Sequence, residues 1–89
     1  MRIMAMVTER DREVARLLPE MFLDMSRTAG LRVRGLVNNY WGFYPVKACE
    51  QLRQVLLPLL KPLFKTGAEV TDEQRDICEA LVADWIARQ

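Results

Sequence analysis

Wound as a helix at 100° per residue, the stretch from Ala48 to Phe64 places ten apolar side chains on one arc of about 200°. They are Ala48, Cys49, Leu52, Val55, Leu56, Leu57, Leu59, Leu60, Leu63 and Phe64. An arc this wide suits a helix covered on more than one side, and the run is too long for a strand. It therefore sets the fold class as all-α. Pro45 suits the first position of this helix and Gly67 follows its end, so the spacing predicts a helix over 45–65. Pro58 and Pro62 fall on the polar side or its edge, where water can satisfy a freed carbonyl, so a curved helix is expected rather than a broken one.

The remaining periodic segments agree. Thr8-Glu9-Arg10-Asp11 has the spacing of a capping arrangement, followed by a stripe of Val14, Leu17, Leu18, Met21 and Met25. Pro19 falls on the polar face of that winding. The phase is kept across it, so one kinked helix over 8–29 with Gly30 as its stop is expected; two helices, the second beginning at Pro19, are the alternative. Val33, Leu36, Val37, Tyr40 and Trp41 then form the stripe of a short helix over 31–41, with a hairpin turning at Asn38-Asn39 as the competing reading. Thr71-Asp72-Glu73-Gln74 is a capping box that starts a last helix buried through Ile77, Cys78, Leu81, Val82 and Trp85. These segments predict a small bundle of three to four curved helices: a flexible arm over 1–7 and a single helical domain over 8–89.

Composition adds a constraint on assembly. The apolar share, counted with glycine and without tyrosine, is about 53%, above the ~45–50% usual for soluble domains. A chain of 89 residues has a large surface for its volume, so this excess is hard to bury in one copy and predicts a homodimer or a partner surface. Catalytic parts are scarce. There is no histidine, one serine (Ser26), and two cysteines, Cys49 and Cys78, both on apolar faces. No glycine-rich phosphate loop or zinc spacing is present, so no enzyme, cofactor or metal is expected. No apolar run is long enough for a secretion signal or a membrane span, and a cytoplasmic protein that does not engage membranes is the expectation.

Formal net charge is +1, but it is segregated. Residues 25–65 carry Arg27, Arg32, Arg34, Lys47, Arg53, Lys61 and Lys65 against Glu50 alone, whereas residues 66–89 carry six acids against Arg75 and Arg88. Oppositely charged helices lying side by side would account for this; so would a basic surface for an acidic partner or nucleic acid. The aromatic run Tyr40, Trp41, Phe43 and Tyr44 lies within the basic part. Tyr, Trp and Arg dominate binding hot spots. The expected contact surface therefore comprises Arg32, Arg34, Tyr40, Trp41, Phe43, Tyr44 and Lys47, within residues 31–65, and the expected function is binding another protein, such as a transcription regulator, as a small inhibitor, adaptor or anti-activator.

A second expectation comes from Asp24-Met25-Ser26-Arg27-Thr28-Ala29-Gly30-Leu31, followed by Leu36. This string resembles the D-I-A-x-x-A-G-V…L segment in the helix-turn-helix of bacterial repressors of the tetracycline-repressor type. The resemblance covers residues 24–41 and implies Ser26 at a helix crossing, Gly30 in the turn, and 31–41 as the recognition helix. Within a segment 19–41 it would present Arg32, Arg34, Asn38 and Asn39 to base edges, with Arg27 and Lys47 holding phosphates.

Overall fold

Thr8 opens the first helix as its spacing predicts: its hydroxyl accepts from the Asp11 N–H at 3.1 Å and the Asp11 carboxylate accepts from the Thr8 N–H at 3.0 Å. The computed structural model describes residues 6–65, 67 and 69–89. Four α-helices run through them: α1 (Glu9–Asp24), α2 (Ala29–Trp41), α3 (Val46–Leu60), which passes into a 3-10 turn over Lys61–Phe64, and α4 (Asp72–Ala87). The capping box at the start of α4 forms as expected, Gln74 N–H to the Thr71 hydroxyl at 3.2 Å and Thr71 N–H to Gln74 Oε1 at 2.8 Å. Most of the expected arm, residues 1–5, lies outside the described residues; Met6 is exposed and Val7 packs partly against the core. Among the described residues no helix is long and apolar enough to cross a membrane.

The first helix ends earlier than its stripe suggests. It stops at Asp24, Met25 turns extended, and Gly30 sits in the first turn of α2 rather than in a break. Two local causes combine. Ser26 and Thr28 are residue types that favour helix ends over helix interiors. The Arg32 side chain reaches back to the last carbonyls of α1 (below). The buried stripe of α1 is also rotated from the expected one: Ala15, Leu18, Pro19 and Phe22 are buried, while Leu17 is 52% exposed. Pro19, expected on the polar face, is buried instead, since its ring is apolar and carries no N–H to desolvate. Pro58 and Pro62 do lie exposed. The predicted helix over 45–65 is α3 plus its 3-10 turn; two prolines four apart remove successive donors, and the chain tightens where the second falls.

The core draws on all four helices and the 3-10 turn, including Phe22, Val37, Trp41, Leu52, Leu56, Leu63, Val82 and Ile86. The stripe predicted over 31–41 is helical and buried except for half-buried Tyr40, so Asn38-Asn39 is no hairpin turn. Ile77 of the last helix is exposed and Ile86 buried in its stead. Cys49 and Cys78 are free, buried thiols, and burial pushes Cys78 up to about 11. Trp85 ties α4 to the start of α3, its indole N–H donating to the Ala48 carbonyl at 2.8 Å.

Helix pairing settles where the charges go. The most extensive contacts are α1 with α4, then α2 with α3. Arg12 and Arg16 of α1 meet Glu79 of α4 at 3.3 and 3.1 Å, and Arg75 of α4 donates to Glu20 of α1 at 2.8 Å. Asp76 and Glu79 of the last helix are thus matched by arginines of the first, and Asp72 and Asp84 by Arg75 and Arg88, close by in the chain. The basic middle of the chain is not what neutralises them.

Candidate interaction surface

The corner between α2 and α3 is built by Gly42. A Cβ there would press into the Asn38 carbonyl oxygen, so only glycine lets the chain leave α2 at this angle. The corner is then closed by the Tyr44 N–H on the Trp41 carbonyl at 3.1 Å and the Cys49 thiol on the same carbonyl at 3.3 Å. Pro45 caps α3, and its carbonyl accepts from the Cys49 N–H at 3.1 Å.

This corner divides the expected contact residues into two groups. Trp41 is core: it is 1% exposed, and its indole N–H donates to Asp11 Oδ1 at 3.0 Å. Arg32 is also committed internally. Its guanidinium donates to the carbonyls of Phe22 at 2.7 Å, Leu23 at 3.3 Å and Arg27 at 2.5 Å, and lies 4.4 Å from the centre of the Phe64 ring. Tyr40 and Tyr44 are half-buried, Tyr40 donating to the Met21 sulfur at 3.3 Å and Tyr44 meeting Trp85 edge-on at 4.9 Å. Burial raises the Tyr44 hydroxyl above its ordinary value.

Phe43, Arg34 and Lys47 are the exposed members of the set. Phe43 is 78% exposed, its ring tilted against that of Tyr44 with centres 4.6 Å apart; Val46, absent from the expected set and three residues further on, is 75% exposed. Arg27, Asn38 and Asn39 are exposed as well. Among the described residues Arg27, Arg34 and Lys47 form no ion pair. Met6, Tyr40, Phe43 and Asn39 border one shallow depression at the corner, while Arg34 and Asn38 face Arg53 and Glu50 across the α2–α3 junction.

Arg53, Gln54, Leu57 and Val46 were missed by sequence reasoning. Their helix was legible, but which of its residues stand opposite Arg34 depends on how α2 docks. For the helix-turn-helix resemblance, the connection falls at Met25–Thr28, with Ser26 within it and Gly30 inside α2. Comparison with protein-family models, curated proteins and solved structures finds no match.

Proposed function

We propose that this chain is a non-enzymatic, cytoplasmic protein-binding regulator of the inhibitor, adaptor or anti-activator type, using the α2–α3 side as its contact surface. The observation that carries this reading is the pair Phe43 and Val46, 78% and 75% exposed on a corner held rigid by Gly42 and the Cys49 contacts. Large apolar side chains fixed in water recover their hydration cost only against another surface. Phe43 borders a depression together with Tyr40 and Arg10, and aromatic rings near arginine are the composition of a binding hot spot. A bacterial transcription regulator is the class of target this reading favours. Self-association belongs to the same proposal, and sedimentation equilibrium giving only the 10.4 kDa monomer at high micromolar concentration would remove it.

A photo-activatable phenylalanine analogue at position 43 tests the surface. It should cross-link one dominant protein in the native cell, whereas the same analogue at Glu73, exposed at the start of α4, should not. Phe43→Asp should weaken binding of that protein by roughly 30-fold, the size of a hot-spot loss of about 2 kcal/mol, with helicity unchanged. Equal labelling at both positions, or none, would refute the assignment.

DNA binding is the second reading, favoured by one observation. Arg34 and Asn38, four residues apart on α2, are both exposed, and arginine and asparagine suit guanine and adenine edges. A mobility shift at low salt that weakens steeply as salt rises, and is lost in Arg34→Ala/Asn38→Ala, is the expected signature. No shift at low salt ends this reading.

A further inference from the structure

The junction of α2 and α3 holds two shallow depressions, of about 340 and 220 Å³, that share Arg34, Glu50 and Arg53 and so run into one groove. Neither exceeds the lower part of the ~300–1,000 Å³ range of small-molecule pockets, and a linked pair suits successive side chains of a peptide better than one compact ligand. Val46 stands at one end and Leu57 at the other. Eleven residues of helix separate them, a distance of about 16 Å or three turns. Between these apolar ends the walls carry two arginines, Arg34 and Arg53, against one carboxylate, Glu50. Arg34 has no ion pair among the described residues, and the one carboxylate within reach of Arg53 is Glu50, at a long 3.8 Å. Lys47, next to Val46 in the chain, is exposed outside the residues that line the groove and adds a cation at its rim. Glu50 is the only carboxylate in the sequence between Asp24 and Glu69, so the chain supplies little to match these cations. Of its C-terminal acids, Asp76 and Glu79 are engaged by arginines of α1, and Asp72 and Asp84 by Arg75 and Arg88.

We infer that this groove receives an acidic amphipathic helix of a partner protein, about three turns long, with apolar side chains at the Val46 and Leu57 ends and carboxylates against Arg34, Arg53 and Lys47. The inference rests on the protein-binding reading above and adds the partner's chemistry to it. Guanidinium groups on a partly dry wall suit bidentate carboxylates, and cations flanking an apolar seam reject basic or uncharged helices.

A phage-displayed library of random 16-residue peptides, selected on the full chain, tests it. Enriched peptides should be net acidic with apolar residues at helical spacing. Synthetic copies should bind more weakly as salt rises, and roughly tenfold or more weakly to Arg34→Glu/Lys47→Glu, two exposed changes that should leave the circular dichroism spectrum intact. Neutral or basic enriched peptides overturn the inference, as do acidic ones indifferent to Arg34→Glu/Lys47→Glu. A 20-base-pair duplex that binds more tightly than every selected peptide also overturns it. Enriched peptides of the wrong charge that still need Phe43 would leave protein binding standing and remove only the partner chemistry. If no peptide is enriched the groove assignment falls, and the cross-link at Phe43 decides the broader reading independently.

Discussion

Trp41→Ala should lower the free energy of unfolding by about 3–5 kcal/mol, the usual cost of emptying a buried tryptophan site. The ring is enclosed at 1% exposure, and its N–H is held by Asp11 across the α1–α2 junction, so substitution leaves both a void and a carboxylate short of one of its three donors. Domains of this size hold about 5–15 kcal/mol in total, so the variant should be near unfolding at ordinary temperature. Trp41→Phe, which keeps much of the volume and loses the hydrogen bond, should cost less, about 1–2 kcal/mol. Urea denaturation followed by circular dichroism separates the two, and a loss below about 1 kcal/mol for Trp41→Ala would contradict the packing described. A loss of binding in Trp41→Ala would report on the fold, which is why the binding tests rest on Phe43 and Arg34.

The same pair predicts an acid signature. Burial opposes ionisation of Asp11, but the hydrogen bonds from the Thr8 N–H, the Trp41 indole and the Thr8 hydroxyl outweigh it and hold the carboxyl below its ordinary 3.8. A depressed folded-state value contributes stability that is complete above the unfolded value and is lost as pH falls through the folded one. Stability of the native chain should therefore fall below pH about 4, and the part of that fall due to Asp11 should shrink in Trp41→Phe.

Arg32→Ala should cost about 2–3 kcal/mol, more than an ordinary surface arginine, because the side chain acts as a cap. Three carbonyls around the end of α1 lose their charged donor at once, and the rings of Phe22 and Phe64 lose the cation lying 5.5 and 4.4 Å from their centres. Arg32→Lys should recover only part of this, since one ammonium cannot span carbonyls from three residues and has no flat face to lay on a ring. Amide hydrogen exchange should quicken first over residues 20–28 in Arg32→Ala, ahead of α3. A change within 0.5 kcal/mol would show that water replaces the cap at no cost.

What could be read from the sequence follows from how local each cause is. The two capping boxes and the stripe of α2 are set within a few residues, and both were legible. The end of α1 was not, because the guanidinium that stabilises it comes from eight residues further on, past a segment whose apolar phase runs on unbroken. Trp41 was legible as core and also as a candidate anchor. Periodicity gave the first role, and residue type alone suggested the second. Arg34 could be placed on the outer face of α2 by winding. Its neighbours Arg53 and Leu57 could not, because helical phase says which side of α3 they occupy but not which helix lies beside it. The charge segregation was plain, whereas the pairing of Arg16 and Glu20 of α1 with α4 needed the tertiary fold.

That pairing has a kinetic consequence. The contacts Arg12–Glu79, Arg16–Asp76 and Glu20–Arg75 run antiparallel and join residues 67, 60 and 55 positions apart. Closing them means closing long loops, whereas α2 and α3 meet across a four-residue corner. On the ribosome, Phe22 can meet Arg32 and Phe64 early, whereas the side of α1 that pairs with α4 must wait for that helix to emerge. By then the α2–α3 pair that presents Phe43 has long been available to form, so α4 serves as the clasp that seals the bundle.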